Sequence, residues 1–190
     1  MTPFIVFLLI IIIVLTMTSY VIASFGVTVI FGAPFVRTPH LIVREMLKAV
    51  ELQPGEIVMD LGSGMSDMLL VAVKEFGAKK AIGYEINPFL VWIGRWRAWR
   101  WGISDQIEIH RANFFKAKLE DADVLSLYLL SETMEKLTKK MQAELPDHAR
   151  IISRGFPIPS IDPIRTVKTG RSKSHLYTIK QLHAGGIMVD

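Results

Sequence analysis

Residues 57–64 read I-V-M-D-L-G-S-G. An apolar run enters Asp60, and Gly62 and Gly64 follow where a buried strand must stop and turn. Glycine has no Cβ, so at such a bend the backbone can take a positive φ and let a ligand come closer than a side chain would permit. Ser66 is placed to cap a helix, Asp67 falls in its first turn, and apolar residues continue to Val73. Strand, loop and helix in that order open a doubly wound α/β domain, whose ligands sit at the carboxyl ends of the strands. A second apolar stretch, Ala81 to Glu85, ends in a carboxylate about twenty residues further on, the spacing at which such folds grip a ribose. The ligand expected is one that carries a ribose.

On the carboxyl side, Asn87-Pro88 pairs a helix-capping residue with a first-turn proline and predicts a helix reaching Trp101 and stopping at Gly102. Trp92, Trp96 and Trp99 share one face of it, with Arg95, Arg97 and Arg100 around them. An aromatic stripe at helical spacing is expected to pack on the sheet and leave the arginines solvated; the alternative is a face that rests at membrane headgroup level. Strands are expected at Gln106–Ala112, Asp123–Leu130 and Arg150–Phe156, with Ser131 capping a helix from Glu132 to Leu145. Prolines between 157 and 163 then discourage a helix, and Arg165–Lys168 with His175–Lys180 read as a hairpin. The fold class is α/β, a mostly parallel sheet with an antiparallel C-terminal hairpin.

On the amino side, Gly77 closes the first helix of the domain, Pro54-Gly55 makes a turn, and Thr38-Pro39 is expected to cap a short amphipathic helix. Before that, Met1 to Val36 contains no charged side chain and Phe4 to Leu15 is apolar throughout. A helix from Phe4 to roughly Ala23 would cross a hydrocarbon core of about 30 Å. Residues 1–33 are therefore expected to form a single-pass transmembrane anchor, with residues 4–31 in contact with lipid, and residues 34–190 the soluble domain. A cleaved signal peptide fits less well, for want of a basic leading region and a small-x-small cleavage site. Arg37, Arg44 and Lys48 follow the apolar segment, which by the positive-inside bias puts the amino terminus outside and the domain on the cytoplasmic side.

Composition narrows the partners. Lys plus Arg number 22 against 18 for Asp plus Glu, with no dense basic stripe, so no nucleic-acid partner is expected. The chain has no cysteine and its five histidines are scattered, so neither disulfides nor a metal site are expected. Two ligands suit a glycine bend followed by a ribose acid. A dinucleotide would ask for a third glycine at position 67, where this chain has Asp67, which would also repel a pyrophosphate. S-adenosylmethionine has no phosphate and carries a positive sulfonium, for which Asp60 and Glu85 are better company. Ile86 and Phe114 would add apolar walls, and Asn113 either meets an adenine edge or is a turn asparagine.

Several segments resemble one family. They are P-F-V-R-T-P at 34–39, D-L-G-S-G at 60–64, G-Y-E-I-N-P-F-L-V-W at 83–92 and R-A-W-R at 97–100, extended by Y-L-L at 128–130 and R-G-F-P at 154–157. These are similar to the class I protein-lysine methyltransferases that comprise the mitochondrial ATP synthase c-subunit and adenine nucleotide translocase lysine methyltransferases. The archaeal broad-specificity lysine methyltransferase is a soluble relative in that group. The resemblance implies a Rossmann-like class I methyltransferase fold and S-adenosyl-L-methionine as cofactor. It implies that Gly62 and Gly64 line the methionine part, that Glu85 holds the ribose hydroxyls and that Asn113 with Phe114 borders the adenine. By the same resemblance Thr38 would belong to the family's pre-domain segment, which closes over the cofactor, and Tyr128 would face the transferred methyl, its other reading being a strand tyrosine packed under a helix.

After G-S-G the family usually continues D-G-R, whereas this chain has Met65, Ser66 and Asp67. The acid at 65 normally belongs to the cofactor pocket. Its loss leaves open a weaker pocket, a role for Asp67 in its place, or a binding module without catalysis. The function expected is a membrane-anchored methyltransferase acting on lysines of a protein in or near the membrane, with a small-molecule or lipid amine as the alternative substrate.

Overall fold

The computed structural model describes residues 2–30 and 36–185. Helix α1 (Thr2–Ile30) is followed by α2 (His40–Ala49), β1 (Ile57–Leu61), α3 (Asp67–Phe76), β2 (Lys80–Glu85) and α4 (Pro88–Arg100). Then come β3 (Ile107–Arg111), β4 (Val124–Leu127), α5 (Ser131–Glu144), β5 (Arg150–Arg154), β6 (Arg165–Thr169), β7 (Ser172–Thr178) and α6 (Ile179–Gly185). Seven strands make one sheet in the order β3-β2-β1-β4-β5-β7-β6. The first five are parallel, and β7 enters antiparallel between β5 and β6. This is a doubly wound, Rossmann-like architecture with a C-terminal hairpin, as the sequence led one to expect.

Both faces of the sheet are covered, which is why its central strands are apolar in nearly every position. One layer buries Val43, Leu47, Leu69 and Val91 against Val58 and Ala81; the other buries Leu137 and Met141 against Met59, Leu125 and Ile151. The chain runs outward from β1 through α3 to β2 and through α4 to β3, then returns from β3 to β4 on the other side of β1, which creates the switch point beside β1. A crevice opens there at the carboxyl ends of the strands, as the topology requires.

Several local expectations are corrected. Thr38 does not cap α2: Pro39 holds the cap position and contributes only its carbonyl, to the N–H groups of Ile42 and Val43. Ser131 lies inside α5 rather than at its cap, which Leu130 occupies without a side-chain bond. The last strand ends at Thr178 and turns into α6, whose Leu182 is buried in the core and draws the chain back onto α5. Helix α1 runs past Ala23 to Ile30, about 43 Å at 1.5 Å per residue, longer than the span expected. The domain boundary expected between residues 33 and 34 lies outside the described residues.

Trp92, Trp96 and Trp99 do not pack on the sheet. Helix α4 buries Leu90, Val91, Gly94 and Ala98 and turns Trp92, Trp96 and Trp99 outward, where they are 61%, 46% and 70% exposed. A Cβ on Gly94 would lie 2.8 Å from Ile109 Cδ1 and 3.2 Å from Ser66 Cβ, so the inner face of α4 sits too close for an indole.

Candidate active site

The site begins where β1 ends. Gly62 and Gly64 take φ of 85° and 52°, folding the chain back so that the N–H groups of Gly62 and Ser63 both donate to the Tyr84 carbonyl, at 2.9 and 3.0 Å. This ties the glycine bend to the end of β2. Glu85 completes the tie: its Oε2 accepts from the Gly64 N–H at 2.9 Å and its Oε1 from the Asn87 N–H at 2.8 Å. Asn87 in turn accepts from the Phe89 and Leu90 N–H groups and starts α4 with Pro88 in its first turn. Each carboxylate oxygen has two lone pairs, so Glu85 is positioned by backbone yet keeps acceptor capacity toward the crevice.

Thr38, Asp60, Gly62, Gly64, Glu85, Ile86, Phe114 and Tyr128 all line one cavity of about 280 Å³. Asn113 is not among its lining residues. Its Oδ1 accepts from the Phe115 N–H at 3.0 Å and turns the chain after β3, the simpler of its two readings. Asp60 is buried, and burial pushes its carboxyl up to about 7, with a hydrogen bond from Ser126 opposing the rise and the charges of Glu85 and Asp67 adding to it. Burial likewise raises Glu85, against the pull of its backbone hydrogen bonds. Two carboxyls whose ionised forms are disfavoured thus face the same small space. A ligand that brings a positive charge and hydroxyl groups relieves both.

Ser66 departs from its expected role. It stands at the cap position of α3 with φ 64°, and its Oγ faces Gly94 without a hydrogen-bond partner. The left-handed backbone swings the hydroxyl away from the first N–H groups of the helix. Holding a serine there costs about 1 kcal/mol relative to glycine. Met65 presents an apolar side chain to the cavity at the position where the resembled family has an acid. Asp67 does not take its place as a free carboxylate. It is held by Arg97 Nη2 at 2.7 Å, His40 Nε2 at 2.8 Å and Arg37 Nε at 3.1 Å. Burial would raise its pKa, but the hydrogen bonds and charges of the two arginines outweigh that and hold it below the usual carboxylate value.

Two lining residues carry chemistry that the sequence did not single out. Arg154, at the end of β5, lays its guanidinium 5.3 Å from the centre of the Tyr128 ring, and its Nε and Nη1 are buried with no hydrogen-bond partner. Arg37 brings the segment before α2 across the cavity to Asp67. Both lie in segments that carry the family resemblance, P-F-V-R-T-P and R-G-F-P, but no periodicity assigns their side chains a role, and that comes from their placement around the cavity.

Comparison with known proteins identifies relatives of the chain. The family model described as the ANTKMT methyltransferase domain matches residues 60–165. The adenine nucleotide translocase lysine N-methyltransferase of Mus musculus is 36% identical over 146 residues, covering 77% of this chain and 63% of the mouse protein. A protein-lysine N-methyltransferase of Saccharolobus islandicus is 33% identical over 135 residues, covering 71% and 84%. Among solved structures, an RNA methyltransferase of Salinibacter ruber in complex with S-adenosyl-L-homocysteine superposes with a TM-score of 0.73 at 30% identity, covering 76% of this chain and 94% of that one. The chain spans less than two thirds of the mouse relative's length.

Proposed function

Because the chain belongs to the family of the ANTKMT methyltransferase domain, we propose that it transfers a methyl group from S-adenosylmethionine to the side-chain amine of lysine in a protein substrate. The observation that carries this reading is the pair of buried carboxyls, Asp60 and Glu85, both raised by burial, facing one cavity beside a bare glycine bend. That donor set fits the cofactor: Glu85 for the ribose hydroxyls, Asp60 for the positive end, Ile86 and Phe114 as walls of the adenine site, and Gly62 with Gly64 along the methionine part. When bound, S-adenosylmethionine supplies an electrophilic methyl on a positively charged sulfur.

The protein's own part is alignment and desolvation. Lysine has an ordinary pKa near 10.4 and must reach the methyl as a neutral amine. Tyr128, Leu129 and Phe156 give the cavity wall on the β4 and β5 side an apolar surface that penalises an ammonium. The Arg154 guanidinium stacked on Tyr128 adds a like charge and pushes in the same direction. Thr38, on the segment that Arg37 secures to Asp67, closes the opposite wall and excludes water.

Helix α1 is the membrane anchor in this reading. It is apolar along its length, and its window Pro3–Tyr20 has no buried residue. Arg37, Arg44 and Lys48 follow it and favour retention of the domain on the cytoplasmic or matrix-like side, with the substrate lysine on a protein in or near the same membrane. The test uses the purified full chain in detergent with labelled S-adenosylmethionine and a membrane extract, followed by acid hydrolysis. Label recovered as methylated lysine, and lost with Glu85→Gln, is expected. Label found only in lipid or in a small amine, or none transferred at all, would overturn the assignment.

A further inference from the structure

The outer face of α4 is unlike the rest of the domain surface. Trp92, Trp96 and Trp99 stand outward on it, Phe89 stacks on Trp92 with ring centroids 6.3 Å apart, and the Arg100 guanidinium lies 5.9 Å from the centre of the Trp96 ring. Arg95 and Arg100 are exposed among them, Arg95 with one guanidinium nitrogen donating to the Ile109 carbonyl at 2.6 Å. Three exposed indoles in one row are more apolar surface than a soluble helix normally shows to water. Arginines interleaved with them rule out burial of the row in hydrocarbon. Indoles with guanidinium groups match one environment in particular: the headgroup zone of a bilayer, where the ring is half-buried and its N–H and neighbouring cations meet carbonyl and phosphate oxygens.

The occupant of this face is argued by continuity. Helix α1, apolar and exposed from Pro3 to Tyr20, lies in contact with α4. A bilayer that takes up α1 therefore already lies beside the indole row. We propose that the Trp92-Trp96-Trp99 face of α4 rests on the lipid surface, with Arg95 and Arg100 on anionic headgroups, and so fixes the tilt of the catalytic domain against the membrane. The proposal rests on the anchoring reading of α1. It also limits the substrate: α4 begins three residues after Glu85 and is about 20 Å long, so the cavity is held within roughly that distance of the headgroups. The lysine reached is one on a membrane protein's loop at the lipid surface, not one carried far out on a soluble domain.

The chain offers its own probe, since all four tryptophans lie at 92–101 in or next to α4. The full chain is reconstituted into phosphatidylcholine vesicles with and without phosphatidylglycerol, containing phospholipids brominated near the glycerol end or near the chain end. Expected are flotation with the vesicles, a blue-shifted emission and loss of most of the fluorescence with the shallow bromines. Quenching should be much weaker with the deep ones and deepest where phosphatidylglycerol is present. The variant W92S/W96S/W99S should still float while its remaining Trp101 escapes quenching. Flotation with water-like, unquenched emission would overturn the proposal and leave the anchor standing. Failure to float would overturn both. A blue shift that grows with protein concentration in detergent, without bromine quenching, would assign the face to a second copy of the chain and also overturn it.

Discussion

Asp60 is the residue on which cofactor affinity should depend most steeply with pH. Its carboxyl is held at about 7, well above the ordinary value near 3.9. A sulfonium favours the ionised form, so binding releases a proton whenever Asp60 starts protonated. Affinity for S-adenosylmethionine should therefore rise as pH goes from 5 to 7 and level off above, approaching tenfold per unit on the acid side. S-adenosylhomocysteine, with an uncharged sulfur, should show a shallower slope; calorimetry at several pH values reads both. For stability the sign reverses. A folded value raised above the unfolded one contributes stability that is present below the unfolded value and is lost as pH rises through about 7. Asp60→Asn should accordingly melt higher than the parent at pH 8 in the absence of cofactor, with the difference shrinking toward pH 5. Asp60 and Glu85 were legible because each closes a largely apolar stretch two residues before a glycine or an asparagine. Arg154 was not, since nothing in R-G-F-P tells which ring its guanidinium will meet.

At the scale of elements, the bend after β1 works because β2 lets it approach. A Cβ on Gly83 would fall 2.8 Å from Ser63 Cβ and 2.6 Å from Leu69 Cδ1, so the close contact is between β2 and the loop with the helix it feeds. Gly83→Ala should cost about 1–3 kcal/mol by overpacking. It should also weaken cofactor binding more than that loss implies, because the displaced loop carries Gly62 and Gly64. Thermal unfolding with and without S-adenosylhomocysteine separates the two effects. Helix ends show how far local reading reaches. The Asn87 cap followed from two neighbouring residues and its own side chain, whereas Ser66 and Ser131 have the same chemistry and form no cap. Whether a hydroxyl meets its N–H depends on a backbone φ that packing sets, as Gly94 and the loop do for Ser66.

For the molecule as a whole, Asp67 is the joint. It binds Arg37 from the segment before α2, His40 from α2 and Arg97 from α4, so three parts of the chain converge on the first turn of α3. Arg97 is only 11% exposed there. Asp67→Asn should leave that charge uncompensated and cost about 3 kcal/mol, measured by urea unfolding. Because Asp67 is depressed in the folded state, its contribution is present above the unfolded carboxylate value and is lost as pH falls through the folded one. The parent should thus lose stability in acid faster than the Asn variant.

From the chain alone came the order of strands and helices up to the hairpin, the parallel core, the apolar leading helix and the acids near the ends of β1 and β2, though not α6. All of these are written in contiguous residues, as apolar periodicity or as a bend with its glycines. Tertiary structure decided the rest: which face of α4 turns inward, where Asp67 spends its charge, and that Asn113 caps a turn while Arg154 enters the cavity. Those outcomes depend on how closely two backbones approach and on which distant side chains then meet, and neither distance is encoded in local sequence.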